Sequence, residues 1–108
     1  MNPQINKGVL ELVLLLQLKF QDNYAYRLSK FTSNSLGVTE GAIYPVLRRL
    51  EAKGIINAYE IPHGKRIRKN YHLLPKGDAY LDKLMAQWQR TNIVITRLEK
   101  VITKNEKK

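Results

Sequence analysis

After Pro75 the chain has no further proline and carries Leu81, Leu84, Trp88, Thr91, Ile95, Leu98 and Ile102, spaced 3, 4, 3, 4, 3 and 4 residues apart. That is a heptad seam with one polar member, Thr91, and it commits this part of the chain to one long helix with an apolar stripe. Pro75 suits the first helical position, where its missing N–H breaks no bond. A helix from Pro75 to Thr103 is about 43 Å long at about 1.5 Å per residue. A domain built from the 74 residues ahead of it is too small to cover that length, so part of the seam calls for a second chain. The expected organisation is a domain over 5–74 and a dimerisation helix over 75–104, with Lys104 to Lys108 as a frayed, solvated end.

Ahead of the seam, Val9, Leu12, Val13, Leu15 and Leu16 recur at helical spacing and predict a first helix, buried on much of its surface and ending near Phe20. Asp22 and Asn23 offer capping oxygens to a short second helix in which Tyr24, Leu28 and Phe31 share a face. Thr32 to Gly37 has loop chemistry. Thr39 as N-cap, the stripe Ile43, Val46, Leu47 and Leu50, and a closing Gly54 predict a third helix. Its opposite face carries Glu40, Tyr44 and Arg48 beside Gly41 and Pro45. Pro45 is expected to bend this helix near its start or to shape its exposed surface. Beyond Gly54, Ile55–Ile61 and Arg66–Leu73 are β-prone, and Pro62-His63-Gly64-Lys65 between them predicts a hairpin. Its tip is basic, since four of the five residues from Lys65 to Lys69 are Lys or Arg.

Composition narrows the chemistry. With 19 Lys and Arg against 9 Asp and Glu, the formal net charge is +10, which favours a polyanionic partner. The absence of cysteine excludes disulfides, thiolate catalysis and Cys-based metal sites, and two histidines leave little for a His-rich one. Neither a metal nor a cofactor is expected. No paired carboxylates at a useful spacing, no Gly-rich phosphate loop and no nucleophile–base set can be assembled, so catalysis is not expected either. The one apolar run, Val9 to Leu18, is broken by Glu11 and Gln17 and falls short of the roughly 20 residues of a bilayer span. A cytosolic protein without membrane contact is expected.

Three helices, a basic hairpin and a long apolar helix make a mainly α fold with a small β-hairpin, a winged helix-turn-helix with a C-terminal dimerisation helix. The major groove of DNA admits one α-helix, whose first residues reach base edges, while a hairpin reaches neighbouring phosphates. The expected contacts to double-stranded DNA are Thr39, Glu40, Gly41, Ala42, Tyr44 and Arg48 on the third helix, and Lys65, Arg66 and Arg68 on the hairpin. Each has a blander alternative: Tyr44 as a half-buried core aromatic, Arg48 and Arg49 as solvated or locally paired helix residues, the hairpin as a merely solvated charged loop. His63 and His72 are expected to be structural or exposed. An RNA-binding or ribosome-associated basic domain shares the charge, but would present stacking aromatics on a sheet and has no need of a long heptad helix.

The run Val38-Thr39-Glu40-Gly41-Ala42-Ile43-Tyr44-Pro45-Val46-Leu47-Arg48-Arg49-Leu50-Glu51-Ala52-Lys53-Gly54-Ile55-Ile56 closely resembles the third-helix signature of PadR-family transcriptional regulators. Arg68-Lys69-Asn70-Tyr71-His72-Leu73 is similar to that family's second wing strand. Ala25 and Leu74 depart from a usual glycine and threonine. The resemblance, from Lys7 to Leu98, implies a dimeric winged-helix protein, usually a repressor, whose last helix crosses to the partner. Asp22 to Tyr26 and Trp88 to Glu99 are further similar to a multidrug-binding member of the family, which implies Trp88 as part of an aromatic platform at the dimer centre. Trp88 therefore has two readings, seam packing or a stacking surface for a small planar effector lined by Met85, Asn92, Val9 and Leu12. Since Asn92 is uncharged and the chain basic, a neutral or anionic ligand is expected over a cationic one.

Overall fold

The computed structural model describes residues 6–106, so the expected domain start at residue 5 and the tail residues Lys107 and Lys108 lie outside the described part. The elements are α1 (Lys7–Phe20), β1 (Asn23–Tyr24), α2 (Ala25–Leu36), a 3₁₀ turn at Glu40–Ala42, α3 (Tyr44–Ala52), β2 (Ile56–His63), β3 (Arg66–Leu73) and α4 (Pro75–Glu106). This is the expected winged helix with a long terminal helix. One addition matters: β1 joins the hairpin to make a three-stranded antiparallel sheet in the order β1-β3-β2.

Asn6 caps α1 by accepting from the Gly8 N–H at 2.6 Å. The buried face of α1 is Leu10, Glu11, Leu12, Leu14, Leu15 and Leu18, whereas Val9 and Leu16, expected inside, are exposed. A helix so dense in leucine and valine satisfies more than one stripe of 3.6-residue period, and only the arrangement of its neighbours selects which one is covered.

Several local expectations fail. Thr32 to Leu36 is helix, not loop: the buried Thr32 hydroxyl donates to the Leu28 carbonyl (2.8 Å) and accepts from the Gln17 side chain of α1 (2.9 Å). Docking on α1 thus overrides the weak helix propensity of Ser, Thr and Asn, and Gly37, at φ 69°, ends α2. Asn23 does not cap α2, because it is drawn into β1 opposite Tyr71; Tyr24 takes the cap position without a side-chain hydrogen bond. Thr39 likewise caps no helix through its side chain. Pro45 lies in the first turn of α3, where no helical N–H bond is lost, so it bends nothing.

The hairpin runs in register from Ile56 opposite Leu73 to His63 opposite Arg66, and Gly64 takes the positive φ of 62° that the two-residue turn needs. Leu14, Leu15, Leu28, Ile43, Leu47, Leu50 and Ile56 are fully buried at the centre. Leu81 belongs to this same core at 4 % exposure, which corrects its assignment to a dimer surface, and Leu84 and Met85 pack against it. Beyond them α4 leaves the domain. Trp88, Ile95, Leu98 and Ile102 of the seam, together with Ile93, Val94 and Val101, are each 46–59 % exposed.

Candidate nucleic-acid interface

The 3₁₀ turn and α3 form the prospective reading element. Thr39, Gly41, Ala42 and Arg48 are exposed there, while Glu40 and Tyr44 are half-buried. The last two turn toward α2: the Ser29 hydroxyl, which donates to the Tyr26 carbonyl at 3.0 Å, lies 3.4 Å from both Glu40 Oε1 and the Tyr44 hydroxyl. Contacts that long are weak. They orient the two side chains at the junction of α2 and the reading element rather than lock them.

On the wing, Lys65 and Arg66 are exposed at the tip. Arg68 is not free in the same way. Its guanidinium lies 3.7 Å from the centre of the Tyr24 ring, which Arg27 approaches at 5.4 Å, and an Arg68 nitrogen is 2.8 Å from His63 Nε2. Arg68 therefore holds the wing against the start of α2 by stacking and cation–π attraction. A second tie gathers on Asp22, which accepts from the Tyr59 hydroxyl of β2 at 2.7 Å and meets His72 Nδ1 of β3 at 2.8 Å. Partial burial pushes the Asp22 carboxyl up, but the hydrogen bonds from His72 and Tyr59 outweigh it and hold the group below its usual value. A carboxyl depressed on folding contributes above its unfolded pKa and loses that contribution as pH falls through the folded one, so this tie weakens in acid. Lys69 is turned to Glu51 of α3 at 3.5 Å.

The residues expected around an effector are only partly gathered. An open groove of about 380 Å³ between α1 and α4 is lined by Val9, Leu12, Leu84, Trp88, Thr91 and Ile95 among others. Met85 packs on the core instead, and Asn92, though exposed, does not line the groove.

Sequence reasoning missed Glu11. It is 5 % exposed, with Arg49 Nη2 3.2 Å from its Oε2 and the Tyr80 hydroxyl donating to its Oε1. The signal was present in the chain, since a carboxylate interrupting an apolar helix must find partners or stay in water. Among the described residues no group of three or more His, Asp or Glu is placed to hold a metal ion, and no helix is long and apolar enough to cross a membrane.

Comparison with known proteins places this arrangement. An uncharacterized protein, protein X of Lysinibacillus sphaericus, is 33 % identical over 97 residues, covering 84 % of this chain and 88 % of the relative. A crystal structure from Streptococcus mutans superposes with TM-score 0.80 at 28 % identity, over 88 % of this chain and 90 % of that one. Bacillus subtilis PadR, solved in complex with operator DNA, superposes with TM-score 0.64 at 26 % identity over 71 % of this chain and 46 % of its own. The family model described as "Transcriptional regulator PadR-like family" matches residues 14–83, a span that includes α2, the 3₁₀ turn, α3, the whole hairpin and the root of α4. By that match the chain belongs to the PadR-like family of transcriptional regulators.

Proposed function

We propose that this protein is a homodimeric, sequence-specific DNA-binding regulator that acts in the cytoplasm as a repressor by occupying its operator. The observation that carries the reading is the shared exposure of the α3 entry (Thr39, Gly41, Ala42, Arg48) and the basic wing tip (Lys65, Arg66), in a fold that superposes on a relative solved with operator DNA. The entry suits close approach to base edges and the tip suits phosphates. Tyr71 is buried and Tyr24 lies under Arg68, so neither offers the open stacking platform that favours single-stranded RNA.

Changing Lys65 or Arg66 to Ala is expected to weaken binding to all duplexes alike and to lower the slope of log K against log salt by about 1 for each phosphate left without its cation. Titrations by fluorescence anisotropy at several salt concentrations check this, and unchanged affinity and slope in both variants would remove the wing from the interface. Glu40→Gln is expected to shift sequence preference with the slope retained.

The groove supports a second element of the reading, a small planar aromatic effector stacked on Trp88. Its mechanism is a population shift toward dimers whose reading helices no longer match the operator. Because Trp88 is the single tryptophan, its fluorescence reports the groove directly: quenching by a neutral or anionic planar compound, with operator release lost in Trp88→Ala, is the expected result. A varied panel that leaves the emission unchanged, with operator release in Trp88→Ala like that of the parent, argues for simple seam packing.

A further inference from the structure

Glu11 joins three helices that carry different parts of the proposed activity. It sits on α1 one residue before Leu12, which lines the α1–α4 groove, yet its own carboxylate is turned into the domain at 5 % exposure. One oxygen receives the Arg49 guanidinium of α3 at 3.2 Å, and the other accepts from the Tyr80 hydroxyl of α4. That hydrogen bond to Glu11 raises the Tyr80 hydroxyl above the ordinary phenol range.

The apolar stripe of α3, Val46, Leu47 and Leu50, decides which face turns inward, and the fine rotation within that setting falls to directional contacts, because hydrophobic burial is itself non-directional. A charge-assisted hydrogen bond to a planar carboxylate is directional. Arg49 follows the exposed Arg48, so a turn of α3 about its axis moves the reading face and the Arg49–Glu11 bond together. On the other side, Tyr80 precedes the core residue Leu81 and lies one helical turn before Leu84 of the groove. A shift of α4 at the groove therefore pulls on the same carboxylate.

We infer that Glu11 is a positioning residue, through which the placement of α4 sets the orientation of α3 by way of Tyr80 and Arg49. The inference rests on the reading of α3 as the DNA-reading helix. Tyr80→Phe tests it, since only a hydroxyl is removed, with Arg49→Lys as the second variant, retaining charge but losing the planar fork. The expected result is an unchanged sedimentation coefficient, hydrogen exchange about fivefold faster confined to the α3 amides, and operator affinity lowered about tenfold at unchanged affinity for random duplex. The double variant is expected to be no worse than the more affected single one, the signature of residues acting through one link. Unchanged α3 exchange in both variants overturns the link. Faster α3 exchange with an unaltered ratio of operator to random-duplex affinity overturns its role in reading. A parent protein with no sequence preference defeats the DNA reading instead, and the exchange measurement still decides the link.

Discussion

Leu98→Asp is expected to convert the protein to a monomer at micromolar concentration and to weaken operator binding by about a hundredfold or more. Leu98 is 59 % exposed in the single chain, flanked along the seam by Ile95 and Ile102 at 56 % and 58 %, so the substitution removes nothing from the domain's own core. In the proposed dimer the same position is covered, and a carboxylate there is desolvated without a partner, a penalty of several kcal/mol at about 1.4 kcal/mol per tenfold in affinity. Loss of the dimer removes the simultaneous engagement of two half-sites about one DNA turn, roughly 34 Å, apart, which is why operator binding falls with assembly. Lys100→Asp makes a larger charge change two residues away, on the outer side of the heptad, and is expected to remain dimeric. Sedimentation velocity and anisotropy on both variants check this. A Leu98→Asp protein that stays dimeric takes the seam out of the interface.

The pattern of exposed apolar residues adds to that argument. Val94 and Val101 flank the seam on one side, and with Ile95, Leu98 and Ile102 they give the distal half of α4 an apolar face wider than a single opposing helix covers. Val9 on α1 borders the same groove as Leu84 and Trp88 on α4. In the proposed dimer, a second copy lying against the distal half of α4 covers this face together with the seam.

What could be read without coordinates follows from how local the deciding interactions are. The helix of α4, the stripe of α3 and the hairpin around Gly64 are signalled by patterns within a few residues, and each of these elements is found where the spacing puts it, although Leu81 of the heptad serves the domain's own core. β1 is set by a strand nearly fifty positions later, through Asn23 opposite Tyr71 and Tyr24 opposite Asn70, and a two-residue strand has no periodicity of its own. The second half of α2 is held by Gln17 of α1, again a remote partner. The same distinction separates the DNA-facing candidates. Lys65 and Arg66 are exposed because a hairpin tip has nothing to lean on, while Arg68, two residues further, finds Tyr24 and His63. Charge alone does not separate the three.

Gly77→Ala is expected to destabilise the fold by about 2 kcal/mol, against the ordinary direction of this change in a helix. In an exposed helix interior the substitution gains about 1 kcal/mol from backbone entropy and propensity. Here Gly77 is buried in the first turn of α4, and a Cβ built on it falls 2.3 Å from the Ile55 carbonyl oxygen and 2.5 Å from Leu73 Cδ1. The leucine can change rotamer, but the carbonyl has no such freedom: it accepts from the Leu74 N–H at 3.1 Å, and Ile55 N–H is itself bonded to the Leu50 carbonyl at 3.0 Å. Relief therefore requires α4 to move off the start of β2, opening the packing around Ile55, Leu73 and Leu81, all buried. Overpacking against backbone that cannot yield sits at the upper end of about 1–3 kcal/mol, which exceeds the propensity gain, and for a domain of this size the melting temperature falls by roughly 10 °C. Gly41→Ala serves as the reference, since a Cβ there meets nothing within 4 Å, and its melting temperature is expected to stay within about 2 °C of the parent. Thermal unfolding followed by circular dichroism decides the matter: a Gly77→Ala protein as stable as the parent means that the root of α4 yields without loss, and α4 is then not rigidly seated on the wing.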